Sequence, residues 1–123
     1  KKQRTLKKKH INRTQDLLTA TRAALDNDDL VLARTTFDRI PPSTRKDDNV
    51  VAMQEQLDTA IAARVTGLLD RGDRQYRADK VTAAIATWRK ALAIDPDNKE
   101  VNERLERAGK VLARLEELKS KQK

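Results

Sequence analysis

Few residues in this chain could do chemistry. His10 is the only histidine and cysteine is absent, which excludes thiolate nucleophiles, thiolate metal sites and disulfides. His10 follows Lys7-Lys8-Lys9, where a general base has no second group to orient it, and it reads as a solvated residue. Ser43 and Ser120 stand in polar segments with no base indicated beside them. Asp26-Asn27-Asp28-Asp29 and Asp95-Pro96-Asp97-Asn98 offer the oxygen atoms that calcium takes. Neither has the central Gly and closing Glu of an EF-hand loop. These runs, and Asp47-Asp48-Asn49, fall between helical patterns, where Asp and Asn cap free N–H groups. No glycine-rich phosphate loop is present. The expectation is a chain that is not an enzyme and uses neither cofactor nor metal.

Those caps imply helices, and the apolar spacing supplies them. Ile11, Leu17, Leu18, Ala24 and Leu25 mark a helix over about 11–26, and Leu30, Ala33, Phe37 and Ile40 a short second one. Pro41-Pro42 stops the second, since neither ring donates a helical hydrogen bond. Val50, Met53, Leu57, Ile61, Val65, Leu68, Gly72 and Tyr76 keep one phase through a long third helix, about 48–78. Val81, Ala84, Ile85, Trp88, Ala91 and Leu92 predict a fourth over about 80–94. Asp97 and Glu100 read as a capping box for a fifth, whose stripe is Val101, Leu105, Ala108, Val111, Leu112, Leu115 and Leu118. The fold class is therefore all-α, with about five helices. The 123 residues suit one domain or a short repeat array, three Gly and three Pro are too few for a turn-rich β domain, and no apolar run reaches membrane-spanning length.

The chain also repeats itself. A shift of 51 residues lays Arg13 on Arg64, Leu17-Leu18 on Leu68-Leu69, Leu25 on Tyr76 and Asp28 on Asp79. It lays Ala33 on Ala84, Thr36 on Thr87, Phe37 on Trp88, Ile40 on Ala91 and Val50 on Val101, without a gap. Each copy is a helical hairpin followed by a further helical stretch, and such units bury their apolar stripes against one another. The fifth helix would close the array as a cap.

Residues 65–98 resemble a tetratricopeptide repeat, a helix pair of about 34 residues. Gly72, Ala84, Trp88, Ala91 and Pro96 stand at that family's spacings, with Leu68 at its first aromatic site. Arg71 and Gln75 replace the usual Leu and Tyr, and the first hairpin matches more weakly, through Ala33 and Phe37. The resemblance implies two hairpins plus a C-terminal capping helix. It implies a non-enzymatic scaffold that recruits a protein or peptide partner in a concave groove. Carried over position by position, the groove residues would be Leu18, Arg22, Leu25 and Asp26 in the first repeat, and Leu69, Asp73, Tyr76 and Arg77 in the second. Arg22, Asp26, Leu69, Asp73, Tyr76 and Arg77 are the partner-binding candidates. The carboxylate clamp of chaperone-binding members is not matched. Trp88-Arg89-Lys90-Ala91-Leu92 and the leucine-rich helix after it look like bacterial envelope-associated repeat proteins, which implies a periplasmic or membrane-anchored setting, with the cytoplasm as the alternative.

The charge is uneven. Lys1, Lys2, Arg4, Lys7, Lys8 and Lys9 hold six of the 27 Lys+Arg residues with no acid among them, although the net charge is only +8. Residues 1–10 read as a basic, flexible tail or linker, 11–118 as the repeat domain and 119–123 as a frayed end. The tail could lie on an anionic membrane surface. It has no aromatics to stack on bases, which speaks against nucleic acid. Homodimerisation through an exposed helix face is a further expectation, because a short array leaves terminal faces uncovered.

Overall fold

The computed structural model describes the backbone of residues 2–122 and the side chains of 8–122. The described residues form five α-helices and one short 3-10 turn, with no strand among them: α1 Lys2–Asp26, α2 Leu30–Phe37, the turn Pro42–Thr44, α3 Asp48–Arg77, α4 Val81–Ile94 and α5 Lys99–Lys121. The fold is all-α. It divides into two compact units, Lys1–Ile61 and Ala62–Lys123, with α3 contributing to both.

Several boundaries move from where apolar spacing puts them. α1 starts at Lys2 instead of near residue 11, so the lysine-rich segment expected as a flexible tail is helical from that residue on. Lys, Gln and Arg are good helix formers that leave no apolar periodicity to read. α5 likewise continues to Lys121 rather than fraying from Lys119. Its N-cap is Asn98, whose side chain accepts from the Val101 N–H at 3.1 Å, in place of the expected Asp97. α3 runs unbroken through Gly67 and Gly72 for 30 residues.

In the N-terminal unit, Leu17, Ala24, Leu30, Ala33, Phe37, Ile40, Val50, Met53, Leu57 and Ile61 form the core. Thr21 is fully buried because its hydroxyl donates to the Leu17 carbonyl at 2.7 Å. Arg45 secures the end of α2, donating to the carbonyls of Ile40 and Asp38 while its guanidinium stands 5.0 Å from the Phe37 ring centroid. The 3-10 turn is tied to α1 by the buried Thr14–Thr44 hydroxyl pair at 2.7 Å.

In the C-terminal unit, Val65, Leu69, Ala84, Ile85, Trp88, Ala91, Ile94, Val101 and Ala108 are buried. Trp88 lies against Gly72, where an added Cβ would crowd the indole Nε1 and come within 2.6 Å of Cδ1 and 2.7 Å of Cε2. Only a residue without a side chain fits there. Leu115 and Leu118, read from the sequence as part of the α5 stripe, are 43% and 49% exposed, and Ile11 of α1 is 46% exposed.

The 51-residue equivalence extends to the backbone. Asp28 and Asp79 are the non-glycine residues with positive φ among those described, at 58° and 62°. Around each, the same bonds close the helix: Asp29 N–H to Ala24 O and Lys80 N–H to Gln75 O, both 2.9 Å. These are left-handed helix endings, a conformation Asp tolerates better than most residues.

Candidate partner-binding site

Asp73, Tyr76 and Arg77 lie on the last turns of α3, and their three- and four-residue spacing sets them on one side of that helix. They line a cavity of about 350 Å³ together with Trp88 of α4 and Glu103, Arg104 and Arg107 of α5. The Trp88 ring forms part of the wall and packs on Tyr76 at 5.8 Å between centroids.

The polar anchor is a fork. Arg104 donates from Nε to Asp73 Oδ1 at 2.8 Å and from Nη2 to Asp73 Oδ2 at 3.1 Å, with both side chains 30% exposed. Two parallel charge-assisted bonds fix the relative rotation of α3 and α5 at this point. The bond to Asp73 raises the Arg104 pKa above its ordinary value; burial opposes this, and the charges of Asp73, Glu100 and Asp70 reinforce it. The guanidinium thus stays charged wherever the fold survives. Arg77 and Arg107 are exposed at the same cavity. The lining can take an anionic or hydrogen-bonding group and offers an aromatic wall beside it.

The structure brings three of the six sequence candidates together here and places the other three elsewhere. Leu69 is 8% exposed and belongs to the core, so it is corrected from a docking residue to a packing one. It also borders a second cavity of about 360 Å³ with Val65, Thr66, Asn98 and Lys99. Arg22 and Asp26 are exposed in the N-terminal unit, where Arg22 donates from Nη2 to Gln56 Oε1. Of the groove residues carried over for that unit, Leu18 and Leu25 are half-buried.

Sequence reasoning missed Arg104, Glu103 and Arg107. Arg104 left a signal, because it falls on the apolar side of α5 between Val101 and Ala108, where a charged residue needs a partner. It also missed the partner of His10, whose Nδ1 lies 3.1 Å from Ser43 Oγ. His10 is thus half-buried and bonded, against its reading as a solvated residue without a second group. Standing one turn before Thr14, which meets Thr44, it fastens the 3-10 turn to α1.

Of the basic residues expected at a membrane surface, Lys8 and Lys9 are exposed. Lys1 lies outside the described residues, as do the side chains of Lys2, Arg4 and Lys7. No group of three or more His, Cys, Asp or Glu among the described residues could hold a metal ion, and no helix among them is long and apolar enough to cross a membrane. Comparison of the chain with protein-family models, curated proteins and solved structures returns no match.

Proposed function

We propose that the chain is a non-enzymatic recruiting module of tetratricopeptide type, which binds a protein or peptide partner at the cavity beside Asp73 and Arg104. One observation carries this reading. The cavity has a fixed ionic anchor, two exposed arginines and an aromatic wall, all on helices held by a packed core. Rigid scaffolds that present a few polar groups around an apolar wall suit recognition better than catalysis, which needs a base and nucleophile in register. The repeat resemblance supports the same class, and its envelope-associated members make a periplasmic or membrane-anchored setting part of the proposal.

The test is capture from a lysate with the immobilised chain, followed by titration of the captured protein. Arg77→Glu and Arg107→Glu should each weaken that complex by about tenfold or more, as expected for charged contacts central to an interface. A captured protein whose affinity ignores both substitutions would remove the cavity from the account.

A further inference from the structure

The last turns of α5 carry an apolar stripe that the fold leaves open. Val111 and Leu112 are half-buried, and Leu115 and Leu118 are 43% and 49% exposed. Helix lengths explain it. α4 has 14 residues and spans about 21 Å, whereas α5 has 23 and spans about 35 Å. α5 sets out from the end of α4, so its C-terminal third overshoots the start of α4.

This stripe does not open a third repeat in the phase of the first two. Val65 and Leu69, buried where α3 enters the C-terminal unit, correspond after the 51-residue shift to Glu116 and Ser120. Leu115 and Leu118 correspond instead to Arg64 and Gly67. Val101, Ala108 and Leu112 keep the phase of Val50, Leu57 and Ile61, and the apolar side turns away from it over the last turns of α5.

Ala108, Val111, Leu115 and Leu118 step by three and four, the spacing of a coiled-coil seam. Along one edge, at seven-residue intervals, stand Arg107, Arg114 and Lys121. Lys121 also reaches Glu117 at 3.5 Å, an exposed pair of small worth. The opposite edge holds Leu105, Leu112 and Lys119. A second copy of α5 would therefore set basic rows against each other when antiparallel, and would bring no acid to them when parallel. Around the rest of the helix Glu103, Glu106, Glu116 and Glu117 outnumber Lys110, unlike the basic polar face of helices that lie on an anionic bilayer.

We propose that this seam docks one amphipathic helix of a partner protein, with apolar residues against Val111, Leu115 and Leu118 and Asp or Glu along the edge facing Arg107, Arg114 and Lys121. The proposal rests on the reading of the chain as a recruiting module and names the chemistry of its partner. Arg107 belongs to both the seam edge and the cavity lining.

The probe is a synthetic three-heptad peptide with leucine at its seam positions and glutamate at the flanks, titrated against the whole chain by fluorescence anisotropy. Binding should fall at least about tenfold with Leu115→Asp, and several-fold with Arg114→Glu. It should vanish for a peptide with lysine flanks or with its leucines scrambled. Leu115 is exposed, so circular dichroism should show the Leu115→Asp chain fully folded. Any of three results overturns the proposal: no peptide binding; a dimer by sedimentation that Leu115→Asp dissolves; or uptake by phosphatidylserine vesicles that Leu115→Asp abolishes. If captured partners ignore Leu115→Asp but lose affinity with Arg77→Glu, the seam fails and the recruiting module stands.

Discussion

The two units share a backbone plan and differ in what fills it. Ala33 and Ala84 are fully buried, as are Val50 and Val101, and Phe37 and Trp88 are each 3% exposed. At the position 51 residues before Gly72, the first unit has a buried Thr21. The smaller ring goes with a threonine at that equivalent position and the larger ring with no side chain at all. The polar link changes as well. Arg22 meets the neutral Gln56 in the first unit, and its equivalent Asp73 meets Arg104 in the second. The lesson is that packing equivalence does not carry chemical equivalence: one frame holds a neutral link in one unit and an ionic fork beside a cavity in the other.

The largest break should come from the large ring. Trp88→Ala should cost about 3–5 kcal/mol of stability in chemical denaturation, because nothing else fills that space. Gly72→Ala should cost about 1–3 kcal/mol, since an added Cβ would overlap the buried indole. Adding Trp88→Phe to Gly72→Ala should recover part of that loss, which a double-mutant cycle measures. If Gly72→Ala is neutral, the size of the facing ring is not what sets these residues.

Much of this frame is legible before any coordinates. The α3 pattern alone gives its 30 residues almost to the ends, because a single apolar phase persists from Val50 to Tyr76. The beginning of α1 is not legible, since lysine helices carry no stripe. The site is half legible. Asp73, Tyr76 and Arg77 come from position matching, whereas Arg104 and Arg107 stand on α5, beyond residues 65–98 over which positions were matched. The His10–Ser43 bond joins residues 33 apart through a turn whose course no local pattern encodes.

A smaller effect sharpens the equivalence. Asp28→Val and Asp79→Val should each lose about 1–2 kcal/mol, because a β-branched residue resists positive φ. Similar losses at both sites would support a shared helix ending; a loss at one site alone would separate the units. Smaller still, Asp73→Ala should cost about 1 kcal/mol, less in high salt, and Arg22→Ala only a few tenths. Denaturation at two salt concentrations checks both.

The most direct measurement is the affinity of the captured partner for Arg77→Glu and Arg22→Glu chains compared in one titration series. A loss of about tenfold or more is expected for Arg77→Glu and little change for Arg22→Glu. Equal losses, or a loss confined to Arg22→Glu, would contradict the claim that the cavity of the C-terminal unit is where the partner docks.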